Sequence, residues 1–120
     1  MALILDTVSV NIGAGAALSQ AICVGEKVPC AIEIPSGWTG TGALTFQVSD
    51  DNVTWWELLD NNGNAITIAA TAASSRYNLF SSDFQSACYF KVRSGTSGAP
   101  ANQTNAVTLV LVIRKFYPVD

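Results

Sequence analysis

Histidine, the commonest general acid or base, does not occur among the 120 residues. Without it a Ser/His/Asp triad is excluded, and a cysteine nucleophile lacks its usual partner. Carboxylates are the remaining candidates. Asp50 and Asp51 are adjacent, with Glu57 and Asp60 close behind. Two carboxylates flanking a sugar could cleave it, but only at separations that a sequence does not set. Aspartates at strand ends are more simply turn formers, because their side chains bond to nearby backbone. The segment Asp60-Asn61-Asn62-Gly63-Asn64 looks superficially like a calcium loop. An EF-hand needs a bidentate Glu at position 12 and flanking helices. Counted from Asp60 that position is Thr71, and the flanks read as strands. No GxGxxG or GxxxxGK[ST] pattern occurs to cradle a phosphate. No enzymatic activity, no metal and no cofactor are therefore expected.

Three cysteines are an odd number for a secreted disulfide scaffold, and with no histidine and no close CxxC pair a zinc site is not expected. Were Glu26-Lys27 the tip of a hairpin, Cys23 and Cys30 would face each other across two strands. Strain usually opposes a bridge there, so reduced cysteines acting as small buried hydrophobes are expected. Cys88 alternates with Phe90 and Val92 and reads as core.

Aromatic side chains could bind by stacking. Trp38, Trp55, Trp56, Tyr77, Tyr89 and Tyr117 are the candidates for a sugar platform or an interface anchor. Trp55 and Trp56 are neighbours on a strand, so one of them points outward unless another layer covers it. A tryptophan half-covered by its own loops is the plainer alternative.

Charged residues make up 12% of the chain, about half the usual share of a soluble domain, while 49% is hydrophobic. So little charge suggests that part of the apolar surface is buried against other chains. A monomer solubilised by Ser, Thr, Asn and Gln is the competing reading. Net charge is −3 and no basic stripe exists, so no nucleic-acid partner is expected. No apolar run reaches the roughly 18 residues of a membrane helix, so no membrane partner is expected either. Asp6 interrupts the apolar start MALIL, and no secretory signal is expected.

The elements that would position these residues read as short β-branched or aromatic runs between Gly, Asn, Asp, Ser and Pro. Val8, Val10 and Ile12 share one face of a strand, and residues 13–17 are a small-residue break. Residues 21–24 and 28–34 form a candidate hairpin, with Pro29 marking an edge or a bulge. Residues 35–42 are a loop around Trp38. In 43–49, Leu44, Phe46 and Val48 face inward while Thr45 and Gln47 face out. Asn62-Gly63 predicts a type I′ hairpin turn joining 55–59 to 65–69. A short strand over 76–80 and a helical turn at 81–84 follow. Residues 87–93 alternate again, 94–105 form the longest loop, and 106–113 read as a central strand covered on both sides. The expected fold is all-β, a two-sheet antiparallel β-sandwich, jelly-roll-like or Ig-like, of eight to nine short strands; a small closed barrel ranks second. Residues 1–16 form an N-terminal segment, an arm or a first strand, and 17–120 a single domain.

Three stretches carry a resemblance. They are Ala43-Leu44-Thr45-Phe46-Gln47-Val48-Ser49-Asp50-Asp51 followed by Trp55; Leu59-Asp60-Asn61-Asn62-Gly63-Asn64; and Phe90-Lys91-Val92-Arg93-Ser94-Gly95-Thr96-Ser97 with Ala99-Pro100 and Asn102-Gln103. In them the chain, from Ala17 to Arg114, resembles a group of small tailed-bacteriophage structural proteins. Where the related pattern has Asp-Gly in its first turn, this chain has Asp51-Asn52, and asparagine also accepts the left-handed conformation. The resemblance implies a virion protein assembled in the bacterial cytoplasm. Its expected role is that of a capsid decoration (cement) protein that binds the major capsid protein and forms a homo-oligomer, a trimer or a ring about a symmetry axis. A tail or fibre module recognising host carbohydrate is the alternative. The expected contact residues are Trp38, Trp55, Trp56, Ser94, Thr96, Ser97, Pro100, Asn102 and Gln103, together with the N-terminal segment.

Overall fold

A computed structural model describes residues 2–38, 42–69, 71–84 and 88–117, with the backbone alone described at 2–4, 81–82 and 116–117. The strands are β1 (Ala2–Ile12), β2 (Ile22–Cys23), β3 (Val28–Ile34), β4 (Leu44–Ser49), β5 (Trp56–Glu57), β6 (Ser75–Asn78), β7 (Tyr89–Ser94) and β8 (Val107–Tyr117). A 3₁₀ turn at Ser81–Phe84 is the one helical segment among the described residues. Alternation places the core. Leu44, Phe46 and Val48 of β4 and Phe90 and Val92 of β7 meet Val10, Ile12, Ile32, Ile34, Leu109 and Leu111 from the opposite sheet. Phe46, Phe84 and Phe90 pack together at its centre, with ring centroids 5.1, 5.4 and 5.7 Å apart. Fully burying one such side chain is worth about 1.5–3 kcal/mol.

One sheet has the order β1-β8-β3-β6 and the other β2-β7-β4-β5, with every described pair antiparallel. The pairs β1–β8, β2–β7, β3–β6 and β4–β5 nest inside one another, as in a long ribbon folded double and then wrapped. Contacts β8–β3 and β7–β4 close the wrap. This is the jelly-roll order, and it decides between the jelly-roll and Ig-like alternatives. Both sheets are open, so the fold is a sandwich and the closed barrel is set aside.

Three local expectations need correction, and one pair of alternatives is decided. Residues 21–34 form no hairpin, because β2 and β3 belong to different sheets. The turn at Val24–Lys27 (Lys27 N–H to Val24 O, 3.0 Å; Gly25 φ 59°) carries the chain across the sandwich, so that Val24 and Ile32 enter the core from opposite sides. Cys23 and Cys30 are accordingly not cross-strand neighbours. All three cysteines are free thiols, but Cys23 is exposed and Cys30 and Cys88 are only half-buried; Cys30 Sγ donates to Val112 O at 3.3 Å. Pro29 marks a bulge rather than an edge, since β3 lies between β8 and β6 and its register slips between Pro29 and Ala31. The Asn62-Gly63 hairpin is real but not type I′. Only Gly63 is left-handed (φ 84°), and the Asp60 carboxylate accepts the N–H of Asn62 and Asn64 at 2.9 and 3.0 Å. That bonding favours an ordinary turn closed by one left-handed glycine. Asn52, by contrast, has the expected left-handed φ of 61°. Residues 39–41 of the Trp38 loop, and Ala87 at the start of the expected strand over 87–93, lie outside the described residues.

Candidate functional site

The predicted contact residues separate into buried and exposed groups. Trp38 is only 6% exposed, and its Nε1 donates to Thr71 Oγ1 at 2.9 Å, so it serves the core and is withdrawn as a contact residue. Ser94 and Gln103 are each 2% exposed and are withdrawn for the same reason. Thr96, Ser97, Pro100 and Asn102 are exposed. Trp55 is half-buried beneath the Lys91 ammonium, 4.2 Å from its ring centre. Trp56 lies on the edge strand β5 opposite Val48 and is 61% exposed. Of the tyrosine candidates, Tyr77 packs against the core, Tyr89 is half-buried, and the side chain of Tyr117 lies outside the described residues.

What holds the exposed loop tip is the buried pair beneath it. Gln103 Nε2 donates to Ser94 Oγ at 3.0 Å, Gln103 N–H to Ala16 O at 2.9 Å, and Gly15 N–H to Gln103 O at 2.7 Å. Gly95 N–H reaches Ala43 O at 2.7 Å, and Ala101 N–H reaches Ser94 O at 2.8 Å. Gly95 has φ 89°, and a Cβ there would lie 2.5 Å from Ala99 O and 2.7 Å from Ala101 N. Only glycine fits. Although 94–105 has little regular structure, its base is a rigid platform.

The platform is tied to the outer face of the second sheet. Thr45 Oγ1 donates to Gly95 O at 2.7 Å and accepts from Arg93 Nε at 3.1 Å. The Arg93 guanidinium forms a two-pronged pair with Glu57, and Gln47 Nε2 donates to Glu57 Oε2 at 2.7 Å. Arg93 is almost completely covered although alternation places it on the outer face. The covering was not read from the sequence. The signal for it is the register, which sets Thr45 opposite Arg93 and Gln47 opposite Glu57.

The electrostatics suit a brace better than a reaction centre. The Arg93 guanidinium holds the Glu57 carboxyl below the usual range, helped by Gln47 and opposed by burial. The N–H groups of Thr54 and Val53 lower Asp51, the Lys27 ammonium lowers Asp6, and Lys115 lowers Glu26. Each shift favours the charged carboxylate, the reverse of what a general acid requires. An open cleft of about 310 Å³ lies between β1, β8 and the Val24–Lys27 turn, and the ion pairs Asp6–Lys27 and Glu26–Lys115 line it. No cluster of three or more His, Cys, Asp or Glu suited to a metal occurs among the described residues. No protein-family model, curated protein or solved structure matches the chain.

Proposed function

We propose that the chain is a structural protein of a tailed-bacteriophage virion, a decoration (cement) protein that binds major capsid subunits and performs no catalysis. The observation that carries this reading is the built loop. The stretch most like phage structural proteins, Phe90 to Gln103, has a buried base and an exposed tip at Thr96, Ser97, Pro100 and Asn102. A tip already held in one conformation loses little freedom on docking, so more of the contact energy appears as affinity. The scarcity of charge supports a chain that keeps apolar surface against neighbours, each Å² so covered contributing about 25 cal/mol before entropic costs. Free thiols suit assembly in a reducing cytoplasm.

Imaging of intact particles with this chain labelled is the direct test. Regular decoration of the head is expected, and labelling confined to the tail tip would overturn the reading. Trp56 favours a second reading, a tail or fibre module that stacks a host sugar on the exposed indole. In a glycan-binding screen, binding by the native chain that is lost in Trp56→Ala would support that module over a cement protein.

A further inference from the structure

Four strands bound the two sheets, and three of these edges are short: β6 has four residues, and β2 and β5 two each. The fourth, β1, runs for eleven. Brevity and charge are how sandwiches keep their edges from joining, and a long apolar edge invites another strand. The one charge on β1, Asp6, is neutralised by Lys27 at 2.9 Å. On the side away from β8, Asn11 N–H bonds to Gln20 Oε1 (3.1 Å) and Asn11 O accepts Gln20 N–H (3.4 Å). Gln20 therefore closes the edge at that end. Backbone direction alternates along an antiparallel strand, so Leu5, Thr7 and Ser9 turn their N–H and C=O groups to the same side as Asn11. Among the described residues no strand meets them there, and Leu5 is 55% exposed.

We propose that this open stretch of β1 pairs antiparallel with the same stretch of a second copy, joining two four-stranded sheets into one. A second copy fits because the stretch is neutral once Asp6 is paired, and a twofold axis gives each donor an acceptor from the same residues. A register centred on Thr7 sets Leu5 opposite Ser9 in both directions and ends before Asn11, which Gln20 already holds. A register centred on Asp6 would oppose two carboxylates and is disfavoured. On pairing, Thr7 N–H exchanges its contact with Asp6 Oδ1 (2.8 Å) for the partner's carbonyl. There is room for this. β3 accompanies β8 only as far as Arg114, so the β1–β8 ribbon runs on beyond the third strand, in a molecule 49 Å long and 29 by 25 Å across.

Sedimentation equilibrium of the full chain, with Thr7→Lys and Ser9→Pro alongside, tests the pairing. Proline is tolerated where an edge N–H points outward, and lysine at the axis would oppose its own copy. Twice the 12.6 kDa chain mass is expected, falling to one chain in both variants with unchanged circular dichroism. The amides of Leu5 and Ser9 should exchange about tenfold more slowly in concentrated than in dilute solution. A single-chain mass for the native protein, or a dimer that survives both substitutions, overturns the proposal. Protection of those amides only when capsid shells are added does so too, because the edge would then belong to another strand. The pairing is independent of the capsid reading: a dimer that ignores shells sinks only the latter, and a shell-binding monomer only the former.

Discussion

The loop at 94–105 and strand β1 invert the usual relation between regularity and completeness. The loop has almost no regular structure, yet Gly95, Ala101 and Gln103 turn their N–H groups onto Ala43, Ser94 and Ala16. Strand β1 is fully regular over eleven residues, yet no neighbouring strand meets one side of its backbone among the described residues, where Gln20 holds Asn11 and the Asp6 carboxylate holds Thr7 N–H. Regular geometry satisfies a strand only when both neighbours are present; an irregular segment can be satisfied by a few well-placed carbonyls. The loop should therefore be costly to alter and β1 cheap, as far as the isolated chain is concerned.

Gly95→Ala should show the largest effect. A left-handed non-glycine residue costs about 1–3 kcal/mol, and pressing a Cβ into Ala99 O and Ala101 N adds a further ~1–3 kcal/mol. Urea denaturation should show a loss of roughly 3 kcal/mol. A loss within experimental error would mean that the loop is not the rigid platform described. Gln103→Ala comes next, at about 1–3 kcal/mol, because it strips Ser94 Oγ of a buried partner and leaves a gap beneath the loop. The same substitution should raise protease sensitivity at the tip while leaving β8 protected from amide exchange.

Acid should probe the brace below the loop. Glu57 is held ionised by Arg93 and has its ordinary, higher pKa when unfolded. Its contribution is therefore present in full above the unfolded value near 4.5 and is lost as pH falls through the lowered folded value. Stability measured from pH 7 down to 3 should decline, and Glu57→Gln should make the decline shallower. It should not abolish it, since Asp51, Asp6 and Glu26 are lowered in the same sense. An unchanged slope in Glu57→Gln would show that the Arg93 pair contributes nothing to the brace.

What could be read from the sequence was what neighbouring residues decide. Leu44, Phe46 and Val48 alternate with polar residues, so the inward face of β4 followed from period two alone. Asn52 and Gly63 marked turns because their own backbones tolerate left-handed angles. The two-sheet antiparallel sandwich was legible, but which distant residue or strand meets which was misread or missed. Gln103 is buried by Ala16 and Ser94, and Trp38 by Thr71, neither of which any local pattern announces. The expected hairpin at 21–34 failed because the nesting of β2 with β7 and β3 with β6 is settled across the whole chain. Residues 2–5 do not alternate in hydropathy, and their strand state comes from pairing with β8, from Ala2 opposite Tyr117 to Leu5 opposite Arg114.

The smallest effect should come from β1, and its smallness is informative. Leu5 is more than half exposed and belongs to no buried cluster, so Leu5→Ala should change the stability of the single chain by less than about 0.5 kcal/mol. Measured at low protein concentration, the urea midpoint should match that of the native chain. At high concentration the native chain should gain stability that the variant gains less of, because a dimer draws the folded state by mass action. A large loss at low concentration would mean that Leu5 is already committed within its own fold, and the contrast between a saturated loop and an open edge would not stand.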